Sequence, residues 1–481
     1  MPAGDLDPAS AAYAQRQHPL CAQLRWSRTQ AVLATVLLLA AIAVAIATPR
    51  QAWIVASLAI AVLAAATVGL RLLALLLGLR RDPTLVVEPA ALATLDRATL
   101  PPYVVLVPLY REPEVVPHLL SALEAIDYPR DRLDVQLLIE PDDEATRAAL
   151  AGRQLPSWMR ITVSPPSGPR TKPRACNGGL AAAAPGDGLL VIFDAEDRPE
   201  PDQLLKAAAA YASLPPEVVC LQCRLDHYNA QQSLATRWAT IEYLAWFRLI
   251  LPGLQRLGAP LPLGGTSNHF RLAALRALDG WDPFNVTEDC DLGLRIARRG
   301  WSTRMLASTT WEEAVTTVPT WVRQRSRWIK GHMQTWLVQT RCGALRAFGL
   351  RGWILMGLGT AGVMATQLVN PLAWTVLGLW LALGWSVVDA SDPWSIAGLV
   401  LAAGLLLANL VLVAIALLAC LVLGRRDLLP AATLTPLTWM LHSAAAWRAA
   451  WELIVRPFHW AKTRHGQAVE QAAGGRRLGA V

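Results

Sequence analysis

The stretch Leu189-Leu190-Val191-Ile192-Phe193-Asp194-Ala195-Glu196-Asp197 decides the fold. Five consecutive apolar residues read as a buried strand, and three acids follow within the next four positions. The same rhythm recurs upstream. Strands are expected at 103–109 (YVVLVPL), 135–140 (VQLLIE), 159–164 and 189–194, with a helix-like segment at 113–127 between the first two. Alternation of this kind is the βαβ pattern of a parallel sheet. In such sheets ligands sit beyond the carboxyl ends of the strands. Polar residues collect there: Tyr110-Arg111-Glu112, Glu140-Pro141-Asp142-Asp143 and Asp194-Ala195-Glu196-Asp197.

Around this α/β region the composition changes. The chain has 481 residues, 54% hydrophobic and only 17% charged, with a mean hydropathy of +0.33. That balance points to a membrane protein with a water-facing part. Two apolar runs, 31–48 and 53–79, are long enough to pair as a membrane hairpin. Arg16, Arg25 and Arg28 precede it and Arg71, Arg80 and Arg81 lie at its end, so both ends are expected to be cytoplasmic. Apolar segments return at 352–370, 371–389, 395–424 and 430–455. Four spans in all, with 352–370 and 430–455 at the interface, keep the loop Asp389-Ala390-Ser391-Asp392 outside and the pair Arg425-Arg426 inside. The expected organisation is a cytoplasmic tail (1–29), a hairpin (30–80), a catalytic domain (95–345), membrane and interfacial helices (351–456) and a basic tail (457–481).

Net charge is +8, but it flanks apolar segments and does not form basic runs interleaved with aromatics. An anionic leaflet is the expected partner, and nucleic acid is not. Cys220 and Cys223 form a lone CxxC without the second pair that a zinc site needs, so the seven cysteines read as ordinary thiols of a reducing compartment. About 28 largely polar residues precede the first apolar run, unlike a cleavable signal peptide. A transporter lacks support, because no ionisable residue is expected midway through the clean spans.

Four constellations carry chemistry. Asp194 and Glu196, at i and i+2 after a strand, suit a divalent cation with hard oxygen ligands; the alternative is a solvated acidic loop. Asp289, in Thr287-Glu288-Asp289 at a helix start, is either an N-cap or a general base for a hydroxyl. In Gln324-Arg325-Ser326-Arg327-Trp328, Gln and Arg suit a diphosphate and the indole suits a sugar face; the same residues also suit an interfacial anchor. Lys172 and Arg174, in KPRACN, suit phosphate contact or a basic surface loop.

In order and spacing, VPLYREP, KPRACN, FDAED, GGTSNHFR, VTEDCDLG and QRSRW over 103–336 resemble the processive branch of family-two glycosyltransferases, the bacterial cellulose synthase catalytic subunit among them. RPFHWAKTRHG at 456–466 resembles the C-terminus of membrane members of that branch. The resemblance implies a GT-A fold, Rossmann-like with a mostly parallel sheet, as a cytoplasmic domain inserted between transmembrane helices. It implies that Tyr110 stacks on the base, Glu112 sits beside the nucleotide, and one of Glu140, Asp142 and Asp143 supplies the first acid of the nucleotide site. Lys172 or Arg174 would contact the diphosphate. Asp194 and Glu196 would occupy the D-x-D positions and hold Mg²⁺ or Mn²⁺, with Glu in place of the usual second Asp. Asp289 would be the base. Gln324, Arg327 and Trp328 would line the diphosphate and acceptor site, with Glu288, Gly265, Thr266 and Ser267 shaping the acceptor side.

The function that follows is inverting, β-forming transfer from a nucleotide sugar, a UDP-hexose, to a growing polysaccharide with coupled export. The expected location is a bacterial inner membrane, with the lipid bilayer and export proteins as partners. A non-processive enzyme acting on a lipid or short acceptor is the alternative, and a non-catalytic nucleotide-sensing adaptor is a third reading.

Overall fold

The computed structural model describes residues 6–383 and 392–459. The basic tail from residue 460, with Lys462, Arg464, Arg476 and Arg477, lies outside the described residues, as do 384–391 with most of the acidic loop.

The first helices are α1 (Pro8–Arg16), α2 (Arg28–Ala47) and α3 (Pro49–Arg80). Ser27 starts α2 with a reciprocal capping box to Gln30, which satisfies two otherwise orphaned donors. Strands β1 (Tyr103–Leu109), β2 (Leu133–Ile139) and β3 (Met159–Val163) follow, then helix α4 (Lys172–Ala182), then β4 (Leu189–Ile192), β5 (Arg198–Pro199), β6 (Val218–His227) and β7 (Asn268–Arg271). Helix α5 (Glu288–Arg298), strand β8 (Ser302–Glu312) and helices α6 (Val318–Gln339), α7 (Pro393–Val422) and α8 (Pro436–Val455) complete the elements used below.

The eight strands form one sheet in the order β3-β2-β1-β4-β7-β6-β8-β5. The first four run parallel, and β7 is antiparallel between β4 and β6. Six of the seven β1 residues are buried, because both faces of the sheet are covered. Tyr103, Val105 and Val107 pack under Leu119, Leu123 and Leu204 on one face. Val104 and Leu106 pack on Cys176, Leu180 and Leu292 on the other. Each such aliphatic burial is worth about 1.5–3 kcal/mol. The fold is α/β of the GT-A type, with apolar helices flanking the domain.

Among the described residues, four helices are long and apolar enough to cross a membrane: Arg28–Ala47, Pro49–Arg80, Ala344–Pro371 and Pro393–Val422. The third continues as Val363–Leu383 through Pro371, so the chain is helical across the 370/371 division that the hydropathy pattern suggests. Gly349, at φ 66°, kinks that third helix near its start. Arg71 lies inside α3, nine residues before its last residue, and not at the hairpin's end. All seven cysteines are free, and Cys220 and Cys223 are buried in β6.

The two ends of the chain clasp the domain. Arg341, just after α6, donates to the carbonyls of Pro19, Cys21, Leu24 and Arg25, and Arg16 and Gln17 reach Asp279. The buried Lys330 of α6 donates to the Glu452 carboxylate at 3.2 Å and to the His459 carbonyl at 2.7 Å.

The α/β domain meets the membrane helices without room for a side chain. A Cβ on Gly253 would lie 1.7 Å from the Ala74 carbonyl oxygen of α3. Gly253→Ala therefore forces α3 away and should destabilise by at least the ~1–3 kcal/mol typical of overpacking. Thermal unfolding in detergent checks this, and an unchanged midpoint would show that the contact can relax.

Candidate active site

The carboxyl ends of β1, β2, β4 and β8 open on one cleft. Lys172, the first residue of α4, reaches across it. Its ammonium contacts the Asp194 carboxylate and donates to the Gly265 carbonyl at 2.7 Å. Burial opposes the charge on Lys172, but Asp194 and Glu288 more than offset it and hold its pKa well above the ordinary range. A Cβ on Gly265 would sit 3.4 Å from Asp289 Oδ2, 3.8 Å from Lys172 Nζ and 4.0 Å from Asp194 Oδ2. Asp289, Lys172 and Asp194 thus converge on one glycine.

Asp289 is not the cap of α5. Thr287 is the N-cap, and Glu288, Asp289 and Asp291 fill the first turn, where the helix dipole favours negative charge. Asp289 Oδ1 accepts from the Cys290 amide at 2.7 Å, while Oδ2 faces Gly265. Burial raises the Asp289 pKa. Glu288 is pushed up to about 7, by burial first and then by the charge of Asp289. Helix α6 closes on this turn: a Cβ on Gly331 would lie 2.3 Å from Thr287 Oγ1.

The strand-end acids have distinct roles. Asp197 turns inward, its Oδ2 accepting from the Asp194 amide at 2.7 Å and from the Thr266 hydroxyl, so it shapes the turn. Asp194 and Glu196 line the cleft with Glu312 and Glu313 of the β8 end. Burial, then the charge of Asp194, pushes Glu196 up to about 8, and Glu312 is raised by burial and by Glu196 and Asp194. Among the described residues no group of three or more His, Cys, Asp or Glu is arranged to hold a metal ion. Two carboxylates with an excess of negative charge nevertheless fit a cation whose remaining ligands come from a bound diphosphate.

Most of the residues singled out from the sequence line this cleft: Tyr110, Glu112, Glu140, Lys172, Asp194 and Glu196 on one side; Gly265, Thr266, Glu288, Asp289, Gln324, Arg327 and Trp328 on the other. Four do not. Arg174 is buried and pairs with Glu140 while donating to the carbonyls of Pro165 and Ser167; it holds the loop and Glu140 in place. Breaking such a buried pair costs about 3–5 kcal/mol. Asp143 caps the Glu144–Ala151 helix through the Thr146 amide. Asp142 lies outside the lining, bonded to Arg170 at 2.7 Å and to the Tyr110 hydroxyl at 3.5 Å. Ser267 is inside the sheet, donating to Thr310 Oγ1 at 2.6 Å. Glu312, Glu313, Tyr243, Arg170 and His227 also line the cleft and were not singled out. Glu312 ends β8 and Glu313 follows it, but that strand, STRMLASTTWE, mixes polar and apolar residues, so it lacks the continuous apolar run that marks the strand before Asp194.

Trp328 is half-buried in a stack. The Arg325 guanidinium lies 4.0 Å over its ring, and Tyr243 stacks at 6.4 Å between centroids. It lines the cleft and also a second cavity that runs among α3, α6, α7 and α8. The two cavities share Tyr243, Gly265, Thr287, Asp289, Arg325 and Trp328.

A family model described as Glycosyl transferase family group 2 matches residues 189–450. "Probable glycosyltransferase YdaM" of Bacillus subtilis (strain 168) is 27% identical over 240 residues, covering 48% of this chain and 56% of that protein. "Probable glucomannan 4-beta-mannosyltransferase 3" of Oryza sativa subsp. japonica is 28% identical over 246 residues, covering 49% and 44%. The chain thus spans about half the length of the curated relatives it matches. Among solved structures, the mannosyltransferase PcManGT from Pyrobaculum calidifontis, in complex with GDP-Man and Mn²⁺, aligns with a TM-score of 0.45 at 21% identity, over 73% of this chain and 97% of that one.

The raised Glu196 pKa has a sign that stability measurements read. Its unfolded value is near 4.3, so stability is lost as pH rises from there toward about 8. Glu196→Gln should therefore melt above the parent at pH 8 in chelator, by on the order of 2–4 °C, with the gap narrowing as pH falls toward 5. A gap that is constant with pH would show that Glu196 is not held under this strain.

Proposed function

The chain belongs to glycosyl transferase family group 2 and is a glycosyltransferase, and on that premise we propose that it moves a hexose from a nucleotide diphosphate donor, a UDP-hexose, onto a growing polysaccharide with inversion at C1. The observation that carries this reading is the convergence of Asp289 Oδ2, Lys172 Nζ and Asp194 Oδ2 around Gly265. An acceptor-side carboxylate and a diphosphate-side acid and cation meet where one sugar would fit.

In this mechanism the Asp289 carboxylate takes the proton of the acceptor hydroxyl as that oxygen attacks C1 of the α-linked sugar. The C1–O bond breaks, the nucleoside diphosphate leaves with the bonding electrons, and the new linkage is β. Burial raises the basicity of Asp289, which suits proton removal near neutral pH. A divalent cation, Mg²⁺ or Mn²⁺, on Asp194 and Glu196 would neutralise the diphosphate. Arg327 and Gln324 would hold it from α6, and Lys172 fixes Asp194 in place. Tyr110, with the Arg111 guanidinium 5.0 Å from its ring, offers a face for the base.

The second cavity supports passage of the product through the membrane part. Gln367, Asn370 and Asn409 line it from membrane helices, and the Gln367 Oε1 is buried without a hydrogen-bond partner among the described residues. Polar groups at that depth are costly unless something hydrogen-bonds to them, and a chain of sugar hydroxyls would. The relatives named glucomannan mannosyltransferases support a β-linked polysaccharide product. The arginines flanking the apolar runs support a cytoplasmic catalytic domain, and the proposed location is a bacterial inner membrane.

Asp289→Asn should lower transfer ~10²–10⁴-fold while UDP affinity stays within about twofold, measured with radiolabelled nucleotide sugars in purified membranes. Near-normal turnover would remove Asp289 from the base role. Exhaustive chelation should abolish transfer and re-addition of Mg²⁺ or Mn²⁺ restore it; activity indifferent to chelator would detach Asp194 and Glu196 from cation binding.

A further inference from the structure

Arg71 sits in membrane-spanning α3, roughly 13 Å from its C-terminal end at 1.5 Å per residue, and lines the second cavity. Its guanidinium has no hydrogen bond and no ion pair among the described residues. Glu242 is the carboxylate that acts on it. Glu242, however, already accepts from Arg325 through both Nε and Nη2 and faces His442 at 3.4 Å. Arg325 is held further between the rings of Trp321 and Trp328, at 5.1 and 4.0 Å. One carboxylate thus answers two guanidinium groups, and His332 and His442 add no negative charge. The cavity's other carboxylate, Asp289, is not among the charges that act on Arg71, so Arg71 has no anion of its own. Beside it, Val68, Leu405, Ala408 and Leu412 make an apolar wall, and the far end of the same cavity reaches Asp289 and Gly265.

A guanidinium at membrane depth is costly without an anion, and its planar fork matches phosphate oxygens two at a time. An apolar wall next to it suits hydrocarbon. We infer that the first acceptor is lipid-linked, its phosphate held by Arg71, its hydrocarbon chain along the wall of α3 and α7, and its sugar hydroxyl turned toward Asp289. This rests on the transferase reading above and names the class of molecule on which the chain is begun.

Equilibrium binding to the full-length protein in neutral detergent tests it without turnover. The probes are dodecyl phosphate, dodecanol and inorganic phosphate. Dodecyl phosphate should bind ~10–100-fold more tightly than either of the others, the range of a charge-assisted hydrogen-bonded contact. Arg71→Gln should reduce it to the level of dodecanol, and Arg71→Lys, which keeps the charge but loses the fork, should fall between. Thermal unfolding reports whether each variant is folded, and if Arg71→Gln is not, Arg71→Lys carries the comparison. Equal affinity for dodecanol and dodecyl phosphate would overturn the phosphate contact. Equal affinity for inorganic phosphate would overturn the lipid. An Arg71 variant that is folded and binds dodecyl phosphate as the parent does would overturn the site. UDP binding on the same samples tests the transferase reading separately, since the nucleotide would occupy the other cleft.

Discussion

The contact between the Lys172 ammonium and the Asp194 carboxylate is the interaction on which the site depends. Asp194, Glu196, Glu312 and Glu313 line one cleft formed by strand ends that the fold brings together. Burial raises the pKa values of Glu196 and Glu312, because a low dielectric disfavours every added negative charge. Lys172 is placed at the first turn of α4, directly beneath the end of β4, and lowers that cost at one carboxylate while its second hydrogen bond, to the Gly265 carbonyl, fixes the loop that faces Asp289. One cation therefore sets the spacing between the two halves of the site.

Helix α6 turns that local arrangement into a joint between cleft and membrane. It carries Gln324, Arg327 and Trp328 into the cleft. It packs without a side chain on the Thr287 turn at Gly331, and Arg325 binds the Glu242 carboxylate. Lys330, fully buried, is capped by Glu452 and by the carbonyl of His459. The arginine–aromatic stack of Trp321, Arg325 and Trp328 leaves Trp328 at the boundary of both cavities. A helix held at so many points is a rigid mount, the condition under which side chains keep a productive geometry.

The membrane helices contribute more than anchorage. Gly78 and Gly253 let α3 and the chain after Leu249 meet backbone to backbone, so the second cavity opens directly from the catalytic cleft. Its lining mixes apolar residues with amides, histidines, two arginines and two carboxylates. A purely apolar lining would suit an empty void or a packed core; this one suits an amphiphilic occupant.

The α/β architecture, the first four strands and the long apolar helices were legible in the amino-acid sequence. Those features are periodic and local, and burial on both faces of a sheet demands continuous apolar runs. The sequence also picked out Asp194, Lys172, Asp289 and Trp328, each beside a structural alternative, and it was the resemblance to family-two glycosyltransferases that set them apart. Which polar residues face the cleft and which face inward is set by packing between distant parts of the chain. Asp143 and Asp197 carry the same chemistry as Asp194, yet one caps a helix and the other closes a turn, because backbone amides nearby offered them partners. Arg174 lies two residues from Lys172, but the Glu140 carboxylate draws it into the interior. Arg71 read as the end of a hairpin, because hydropathy averages over a window. Its place inside α3, facing a cavity, is set by how that helix packs against α7, a contact between residues more than three hundred positions apart.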